Sequence, residues 1–467
     1  MNEDYVEFIK NTLKDNTDFK QRTLKCSCGL INLFFIDNLC DSKFISEYVI
    51  DGFLRNYYIE DNIDYIEEKV LIGNSIGDVK SKEDALLHVL SGDVLIVFDF
   101  IQEKIFTEAK GYVRRSVSQP EVESVLKGPR EGFTEAFVDN ISLIRRKIKN
   151  KDLKFESMTY GTETNTVIVL AYIAGTAPKT LVDGIKNEIK NNNLKYILDI
   201  NYLEEKLKNK KTFFDTVGYT EKPDIAASKL LEGRVVIIVD GTPMVITAPY
   251  FFVENFQMPD DYYVNKYYAN SARIIRMAAF IISVIAPGLY VSFETYHVSL
   301  ISTDFLFRLA VSRAGVPIPV VAEVLLMSFF FMLLREAGIR LAQPIGQAMS
   351  IVGALILGDA AVGAGLAAQS TIVVVALSSI CSFLSPKVYG GIVFWNGTLI
   401  VLSAMFGLAG LIIGGYLFVS HLASLDSCGY PYLFPILDKS NINFKDVIIR
   451  RDLDEISKGI FNNEGEK

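Results

Sequence analysis

Histidine, tryptophan and cysteine are scarce in this chain of 467 residues, which has three, one and five of them. The cysteines lie at positions 26, 28, 40, 381 and 428, an odd number without the paired spacing of a zinc site or the even framework of a small secreted domain. Cys26 and Cys28 would bind a metal only with two further ligands, and His88 is the only histidine in the first half. We therefore expect reduced thiols and no bound metal or cofactor.

The residues of a catalytic site are missing as well. Gly73 to Gly77 (GNSIG) has the letters of a nucleophile elbow, but His88 is too close in sequence to be the usual partner of Ser75. Gly358 to Gly365 resembles the start of a phosphate-binding loop, yet the lysine and the serine or threonine that complete such a loop are absent. A net charge of -8 favours no nucleic-acid partner. The sequence thus predicts neither an enzyme nor a nucleic-acid-binding protein.

The amino terminus lacks the basic and then apolar pattern of a signal peptide. We therefore expect roughly the first 260 residues on the cytoplasmic face, and Lys266, Arg273 and Arg276, ahead of or within the start of the first apolar segment, agree with that orientation. A basic run over residues 145–151 is interpreted as a solvated helix face, the alternative being contact with lipid headgroups or a partner.

Long apolar segments are confined to the carboxyl-terminal part. A helix needs about 20 mostly apolar residues to cross the hydrocarbon core of a bilayer. The segments that approach or exceed this length are Ile274–Phe293, Val316–Leu334, Ile345–Ile356 with Ala360–Ala368, Thr371–Leu384 and Gly391–His421. They predict an integral membrane protein with about four to six helical spans. A buried helix pair in a soluble protein is the alternative, but such helices carry a polar face, which Ile392–Val419 almost lacks.

The polar half of the chain contains an internal repeat. The segment from Leu90 to Asp99 (LSGDVLIVFD) is matched by the segment from Leu231 to Asp240 (LEGRVVIIVD), and both have the pattern of helix end, glycine turn and buried strand. A helical stretch that begins with acidic residues precedes each of them. The repeat distance of about 130 to 140 residues suits two similar α/β subdomains rather than a solenoid. Their nearly continuous apolar strands predict sheets that are covered on both faces.

A loop and an amphipathic helix follow the first unit. The apolar positions of this segment fall on one helix face at spacings of three and four, and they are Phe133, Phe137, Ile141, Ile144 and Ile148. We therefore divide the chain into a first α/β subdomain over 1–125, a connecting amphipathic helix over 126–150 and a second α/β subdomain over 151–255. An all-α transmembrane domain over 256–425 and a cytoplasmic tail over 426–467 complete the division.

Ionisable residues within or beside the apolar segments are costly in hydrocarbon unless they meet a partner or water. The candidates for an ion pathway or for intramembrane pairing are Glu323, Asp359, Glu336, Arg335, Arg340 and Glu294. Glu323 either forms a carboxylate ring around an axis shared by several copies, or pairs with an arginine such as Arg335 or Arg340. Asp359, within a glycine-rich stretch, lines an ion path or is satisfied at a helix crossing.

Three motifs make the resemblance to a known family specific. They are Gly128 to Glu135 (GPREGFTE), Asp240 to Val245 (DGTPMV), and Leu334 to Gly338 (LREAG) followed by Gln343 to Ala348 (QPIGQA). Together with Pro431 to Pro435 and Lys445 to Arg450 near the end, they resemble the A subunit of GerA-type spore germination receptors over nearly the whole chain. Within the first motif, we take Pro129, Arg130, Glu131, Gly132 and Phe133 as a candidate coupling motif.

The resemblance implies a multi-pass protein of the inner membrane of bacterial spores, with its amino-terminal half on the core side. It implies B and C subunits as partners, the lipid bilayer as environment, and a homo-oligomer that forms an ion path opened by a nutrient germinant. The alternative is an A-like paralogue that amplifies germination or scaffolds receptor assembly without conducting ions or sensing a nutrient. A transporter is disfavoured, because the apolar segments show no paired repeat.

Overall fold

The computed structural model of the chain describes residues 2–14, 16–55, 62–71, 75–111, 123, 125–191, 194–208, 212–341, 356–435 and 446–456. Within these residues, the amino-terminal half forms two β-sheets with helices on their faces. The carboxyl-terminal half is almost entirely helical.

The first sheet has five antiparallel strands in the order β1-β2-β4-β5-β3. The strands are β1 (Phe19–Lys25), β2 (Leu30–Ile36), β3 (Ile76–Asp78), β4 (Asp93–Phe98) and β5 (Lys104–Glu108). Helices α1 (Asn2–Leu13) and α2 (Lys82–Ser91) cover one face. The other face is covered by helical turns over Ser42–Phe44, Ile45–Ile50, Asp51–Arg55, Ile63–Tyr65 and Ile66–Val70.

The second sheet repeats this topology, with strand order β6-β7-β9-β10-β8. Its strands are β6 (Leu153–Tyr160), β7 (Thr166–Ile173), β8 (Gly218–Thr220), β9 (Val235–Val239) and β10 (Val245–Ala248). One face packs against α3 (Phe137–Lys147) and α5 (Pro223–Leu231), and the other against α4 (Lys179–Lys190) and the helix Asn201–Leu207. The equivalent strands occupy equivalent places, so the two sheets share one fold.

Local chemistry explains why the repeated segments adopt the same structure. Helix α2 begins where the Ser81 side chain accepts a hydrogen bond from the backbone N–H of Asp84, and it ends at Gly92, whose φ of +90° favours glycine. In the second unit, Pro223 occupies the first turn of α5. Strands β4 and β9 are buried at every residue because helices cover both faces of each sheet. The predicted sheets with two covered faces are confirmed for these strands.

A buried ion pair joins the two units. The Arg145 guanidinium, in α3, donates hydrogen bonds of 3.1 to 3.2 Å to the Asp18 carboxylate, and neither side chain is exposed. The Cζ atom of Arg145 lies 4.8 Å from the ring centroid of Phe155 in β6. The interpretation of the basic run as a solvated helix face is therefore wrong for Arg145, because the turn that carries it faces the contact between the two units. Arg146 and Lys147 are exposed, as expected.

The helical half begins with two short 3₁₀ helices, Phe252–Phe256 and Pro259–Tyr262. Its main helices are α6 (Lys266–Thr295), α7 (Thr303–Arg313), α8 (Val320–Arg340), α9 (Gln369–Phe383) and α10 (Tyr389–Ala423). Short 3₁₀ helices at Val298–Leu300 and Pro386–Val388 link them, and residues 356–363 are also helical. The strands β11 (Asp426–Ser427) and β12 (Tyr430–Pro431) and the helix Leu453–Ile456 follow α10.

Helix α10 is folded back on itself at Gly407. In one straight helix Trp395 and His421 would lie about 39 Å apart at 1.5 Å per residue, yet their ring centroids are 5.6 Å apart. Gly407 has φ 59° and ψ -138°, which interrupts the helix and reverses the chain. Residues 389–406 and 408–423 are therefore two antiparallel arms, called the first and second arm below.

Among the described residues, two helical segments are apolar and long enough to cross a bilayer, Lys266–Thr295 and Pro386–Ala423, and Gln369–Phe383 is a shorter apolar helix. The hairpin means that the second segment is two arms of about 24 to 27 Å each, close to the hydrocarbon thickness of about 30 Å. The prediction of one continuous segment over Gly391–His421 is wrong for this reason. Most of the predicted segment Ile345–Ile356 lies outside the described residues.

Candidate functional site

The helices of the carboxyl-terminal half have two distinct ends. We call the end where α6 begins, at Lys266, the near end, because it adjoins the second sheet. The other, where α6 stops at Thr295, is the far end. At the far end the Tyr296 hydroxyl donates to the carbonyls of Ala404 and Met405, next to the Gly407 turn. Both arms of α10 therefore return to the near end, where Thr212 contacts His421 at 3.0 Å.

Glu323 lies at the far end, in the first turn of α8, and is completely buried. Its carboxylate accepts hydrogen bonds from the Arg313 guanidinium at 3.0 Å, the Thr371 hydroxyl at 2.9 Å and the backbone N–H of Ala368 at 3.0 Å. These donors come from the end of α7 and from the start of α9. One carboxylate thus holds three helices together at their far ends.

Arg313 also approaches a second carboxylate, that of Glu294 in the last turn of α6, at 3.7 Å. One guanidinium therefore lies between two carboxylates, and we call Glu294, Arg313, Glu323 and Thr371 the far-end charge cluster. Arg313 Nη1 is buried and has no hydrogen-bond acceptor among the described residues. The cluster carries one more negative than positive charge, an arrangement that is costly away from water and characteristic of functional positions in apolar helices.

The remaining predicted residues lie elsewhere. Glu336 and Arg340 form an exposed pair on α8, and Arg335 lies over the Tyr389 ring at the near end. Neither Arg335 nor Arg340 pairs with Glu323, which contradicts the expected partners. Arg335 lies about 18 Å beyond Glu323 along the same helix, which is too far for the two side chains to pair. Asp359 is exposed on the helical residues 356–363 and has no ion-pair partner in the described part of the chain.

A second network of buried charges lies at the near end and was not predicted. Asp261 accepts hydrogen bonds from Arg273 at 2.9 Å and from Arg276 at 2.6 and 2.9 Å. Arg273 also donates to Asp446 of the tail at 2.5 Å. Arg450 of the tail donates to the backbone carbonyl of Asp261 at 2.6 Å. The described part of the tail is therefore docked on the first turns of α6, through Asp446 and Arg450 of the closing motif.

The charges at the near end shift the pKa values of buried carboxyl groups. Burial of Asp261 opposes its ionisation, but the hydrogen bonds and positive charge of Arg276, together with Arg273, outweigh burial and lower its pKa. The pKa of Glu254, in the 3₁₀ helix Phe252–Phe256, is lowered in the same way. Burial acts to raise this pKa, but the positive charges of Arg234 and Lys229 outweigh burial. Both carboxylates remain ionised, and they tie the second sheet and the tail to the base of α6.

The candidate coupling motif lies against the second unit. The Lys222 ammonium donates to the backbone carbonyl of Pro129 at 2.5 Å, and the Phe133 backbone N–H donates to the backbone carbonyl of Glu221 at 2.7 Å. Glu131 pairs with Lys147 of α3 at 3.2 Å, and the Phe133 side chain is buried in the core. Gly132 is also buried, whereas Arg130 is exposed. The motif therefore contacts the connecting helix and the segment between β8 and α5.

Three contacts connect this region to the helical half. The Leu126 backbone N–H donates to Asp260 at 3.0 Å, and Gly128 lies so close to the Tyr263 ring that a side chain there would collide with it. Glu123 accepts hydrogen bonds from Thr220 of β8 and from Lys387, just before the first arm. The second unit is thus bonded to the entry of α6 and to the entry of the hairpin.

The fold and the two charge networks define a class of protein: paired α/β units bonded to a bundle of apolar helices with ionisable residues in its interior. The family model described as "Bacillus/Clostridium GerA spore germination protein" matches residues 7–459. The chain belongs to the GerA family of spore germination proteins.

The chain is also similar to individual proteins over most of its length. "Spore germination protein KA" of Bacillus subtilis (strain 168) is 39% identical over 90% of this chain and 78% of its own length. "Uncharacterized membrane protein YfkQ" of the same organism is 35% identical over 91% and 83%. A crystal structure of the N-terminal domain of the A subunit of the Bacillus megaterium spore germinant receptor GerK3 aligns with 53% of this chain and 94% of its own, at 29% identity and a TM-score of 0.41.

Proposed function

We propose that this protein is the A subunit of a nutrient-sensing germination receptor in the spore inner membrane, and that it converts germinant binding into ion release. Its partners are the B and C subunits, and several copies form an ion path through the bilayer. The observation that carries the proposal is the far-end charge cluster, which lies within apolar helices of a GerA-family protein.

The far-end charge cluster provides a closed state. While Arg313 lies between Glu294 and Glu323, the far ends of α6, α7, α8 and α9 stay together and the two carboxylates share one cation. If the helices separate, the carboxylates lose that cation and attract ions from solution. Asp359 is exposed and unpaired among the described residues, and it supplies a carboxylate to the path between copies.

The connections at the near end supply the coupling. A movement of the α/β half would act on α6 through Asp260 and Tyr263, which contact Leu126 and Asp224. It would act on the hairpin through Glu123 and Lys387. Both routes end on helices whose far ends border the cluster. The candidate coupling motif lies beside these contacts, because Gly128 packs on Tyr263. An α/β half displaced by a partner subunit would therefore change the packing of the helices.

Substitutions in spores test this proposal. Glu323→Gln removes the charge that holds Arg313, so we expect ion release and germination without germinant. Asp359→Asn removes a charge that attracts cations, so we expect slower ion release and altered ion selectivity. Glu336→Gln, on the same helix as Glu323 but exposed, is the control and leaves both unchanged. Normal germination rates and selectivity in the first two variants would contradict the proposal.

One observation favours the alternative, an A-like scaffold or amplifying paralogue that does not conduct. The Glu323 carboxylate is fully satisfied within one protomer, as a purely structural residue would be. Crosslinking through Asp359→Cys separates the two functions. A conducting ring brings this exposed position of neighbouring copies together and gives crosslinked oligomers, whereas a scaffold with separated copies gives none.

A further inference from the structure

The helical half contains a groove that lies apart from the two charge networks. It lies between α8, α9 and the first arm of α10 and has a volume of about 210 Å³. Its lining residues include Phe329, Met332, Ser379, Tyr389, Val393 and Ile400. We propose that this groove binds one anionic phospholipid, with the headgroup at Arg335 and an acyl chain along the groove. The inference rests on the proposed membrane location of the helical half.

Arg335 provides the recognition of the headgroup. Its guanidinium lies 3.2 Å from the ring centroid of Tyr389 and 5.2 Å from that of Phe383, two residues that line the mouth of the groove. Within the described part of the chain no carboxylate lies within ion-pair distance of Arg335, and its Nη1 atom has no hydrogen-bond acceptor. By contrast, Arg273, Arg276 and Arg313 each pair with a carboxylate. A planar guanidinium without an anion is suited to a phosphate group.

The polarity along the groove matches that of a lipid. Arg335 lies at the near end, the level of the hairpin entry, whereas Leu325 lines the groove ten residues earlier on α8 and hence about 15 Å deeper. The wall at depth is mostly apolar, with Val375 and Ile400 beside the hydroxyl of Ser328, and the hydroxyl of Ser382 lies close to the mouth. A charge at the membrane surface with an apolar channel below it fits a headgroup and its chain, whereas a soluble anion would leave the channel empty.

Lipid binding by the purified full-length protein tests the inference. The protein is delipidated in detergent and titrated with phosphatidylglycerol, phosphatidylcholine, oleate or inorganic phosphate, and bound molecules are counted by native mass spectrometry. We expect one tightly bound phosphatidylglycerol per chain, with weaker binding of the other three. Arg335→Gln weakens that binding about tenfold or more, the loss of one charge-assisted hydrogen bond. Arg340→Gln, on the same helix and exposed, leaves it unchanged.

A second variant keeps the test independent of charge. Gly397 lines the groove and has open space where a side chain would begin, so Gly397→Leu fills the groove and leaves Arg335 in place. We expect it to abolish binding of phosphatidylglycerol while the protein remains folded. Equal binding by Arg335→Gln and the unsubstituted protein would overturn the inference. Binding of oleate or phosphatidylcholine as tight as that of phosphatidylglycerol would also overturn it. A third contradicting outcome is a dimer that Gly397→Leu dissociates, because a second copy of the chain would then fill the groove.

These measurements need neither germinant nor partner subunits. A failure of lipid selectivity in a protein that inserts into bilayers therefore overturns only the lipid site. A protein that fails to insert at all overturns the proposed membrane function as well. Ion flux without selective lipid binding would leave the function intact and remove the lipid site.

Discussion

Neighbouring arginines in α3 have opposite environments, which gives a matched pair of substitutions. Arg145 is buried against Asp18, and Arg146 is exposed. Arg145→Gln leaves the Asp18 carboxylate buried without its partner, so we expect a loss of about 3–5 kcal/mol in the free energy of unfolding. Arg146→Gln should cost less than about 1 kcal/mol. Urea unfolding of the full chain in detergent, followed by circular dichroism, measures both values. Equal stability of the two variants would show that the buried pair is not formed.

Asp261 makes stability depend on pH in the acid range. Its pKa is lowered in the folded protein, so its contribution to stability is fully present above the unfolded value of about 3.9. That contribution is lost as the pH falls through the lower folded pKa. Asp261→Asn should therefore destabilise the protein at neutral pH and flatten the decrease of stability below pH 4. Thermal unfolding across pH 3 to 7 tests this, with Asp304→Asn, at an exposed position, as the control. An unchanged acid slope in Asp261→Asn would refute the lowered pKa.

The charged residues also show how far the sequence predicts this site. Hydropathy marks Glu323 and Glu294 as costly and hence as candidates, because their position in apolar segments is visible in the sequence. Hydropathy does not indicate that Arg313 is the partner of these two carboxylates. The Arg313 side chain reaches Glu294 of α6 and Glu323 of α8 only because of how these helices are rotated, and that rotation depends on packing. Arg145 is missed for the same reason: a basic run looks solvated unless the contact between the two units is known. Asp446 and Arg273 are distant in sequence, so their pairing is a property of the folded tail.

At the scale of elements, the Gly407 turn determines whether α10 is one helix or two. Its backbone angles are accessible to glycine and strained for other residues by about 1–3 kcal/mol. We expect Gly407→Ala to destabilise the hairpin and to shift thermal unfolding in detergent to lower temperature. Gly397→Ala is the matched control, because this glycine is in regular helix with open space around it. Alanine there should be neutral or slightly stabilising. Equal melting of both variants would indicate that the chain does not reverse at Gly407.

The strands and the hairpin differ in how well the sequence predicts them. Strands β4 and β9 follow from continuous apolar runs after glycine turns, and their repetition in the chain identifies a duplicated unit. The hairpin has no such signal. Residues on both sides of Gly407 are apolar, so hydropathy merges the arms into one segment. Gly410 lies against the Leu402 carbonyl of the opposite arm, so its lack of a side chain allows the arms to pack closely. This role of Gly410 becomes visible only when the fold is known.

At the scale of the whole molecule, the proposed membrane location and the arrangement of helices together predict which positions share a side of the bilayer. Ser424 follows the second arm at the near end, and Leu300 lies just beyond the far end of α6. In a protein with Cys26 and Cys28 replaced by serine, we expect Ser424→Cys to react with an impermeant thiol reagent only from the side of the α/β half. Leu300→Cys should react only from the opposite side. Labelling of both positions from one side would exclude a helical half that spans the bilayer.

The central claim is that germinant binding separates the far ends of the helices and opens an ion path through this subunit. The most direct measurement is ion release from liposomes that contain the protein with its B and C partners, before and after addition of germinant. We predict release only with germinant for the unsubstituted protein, and release without germinant for Glu323→Gln. No release from the complete complex under any condition, or identical release from liposomes that lack this subunit, would contradict the claim.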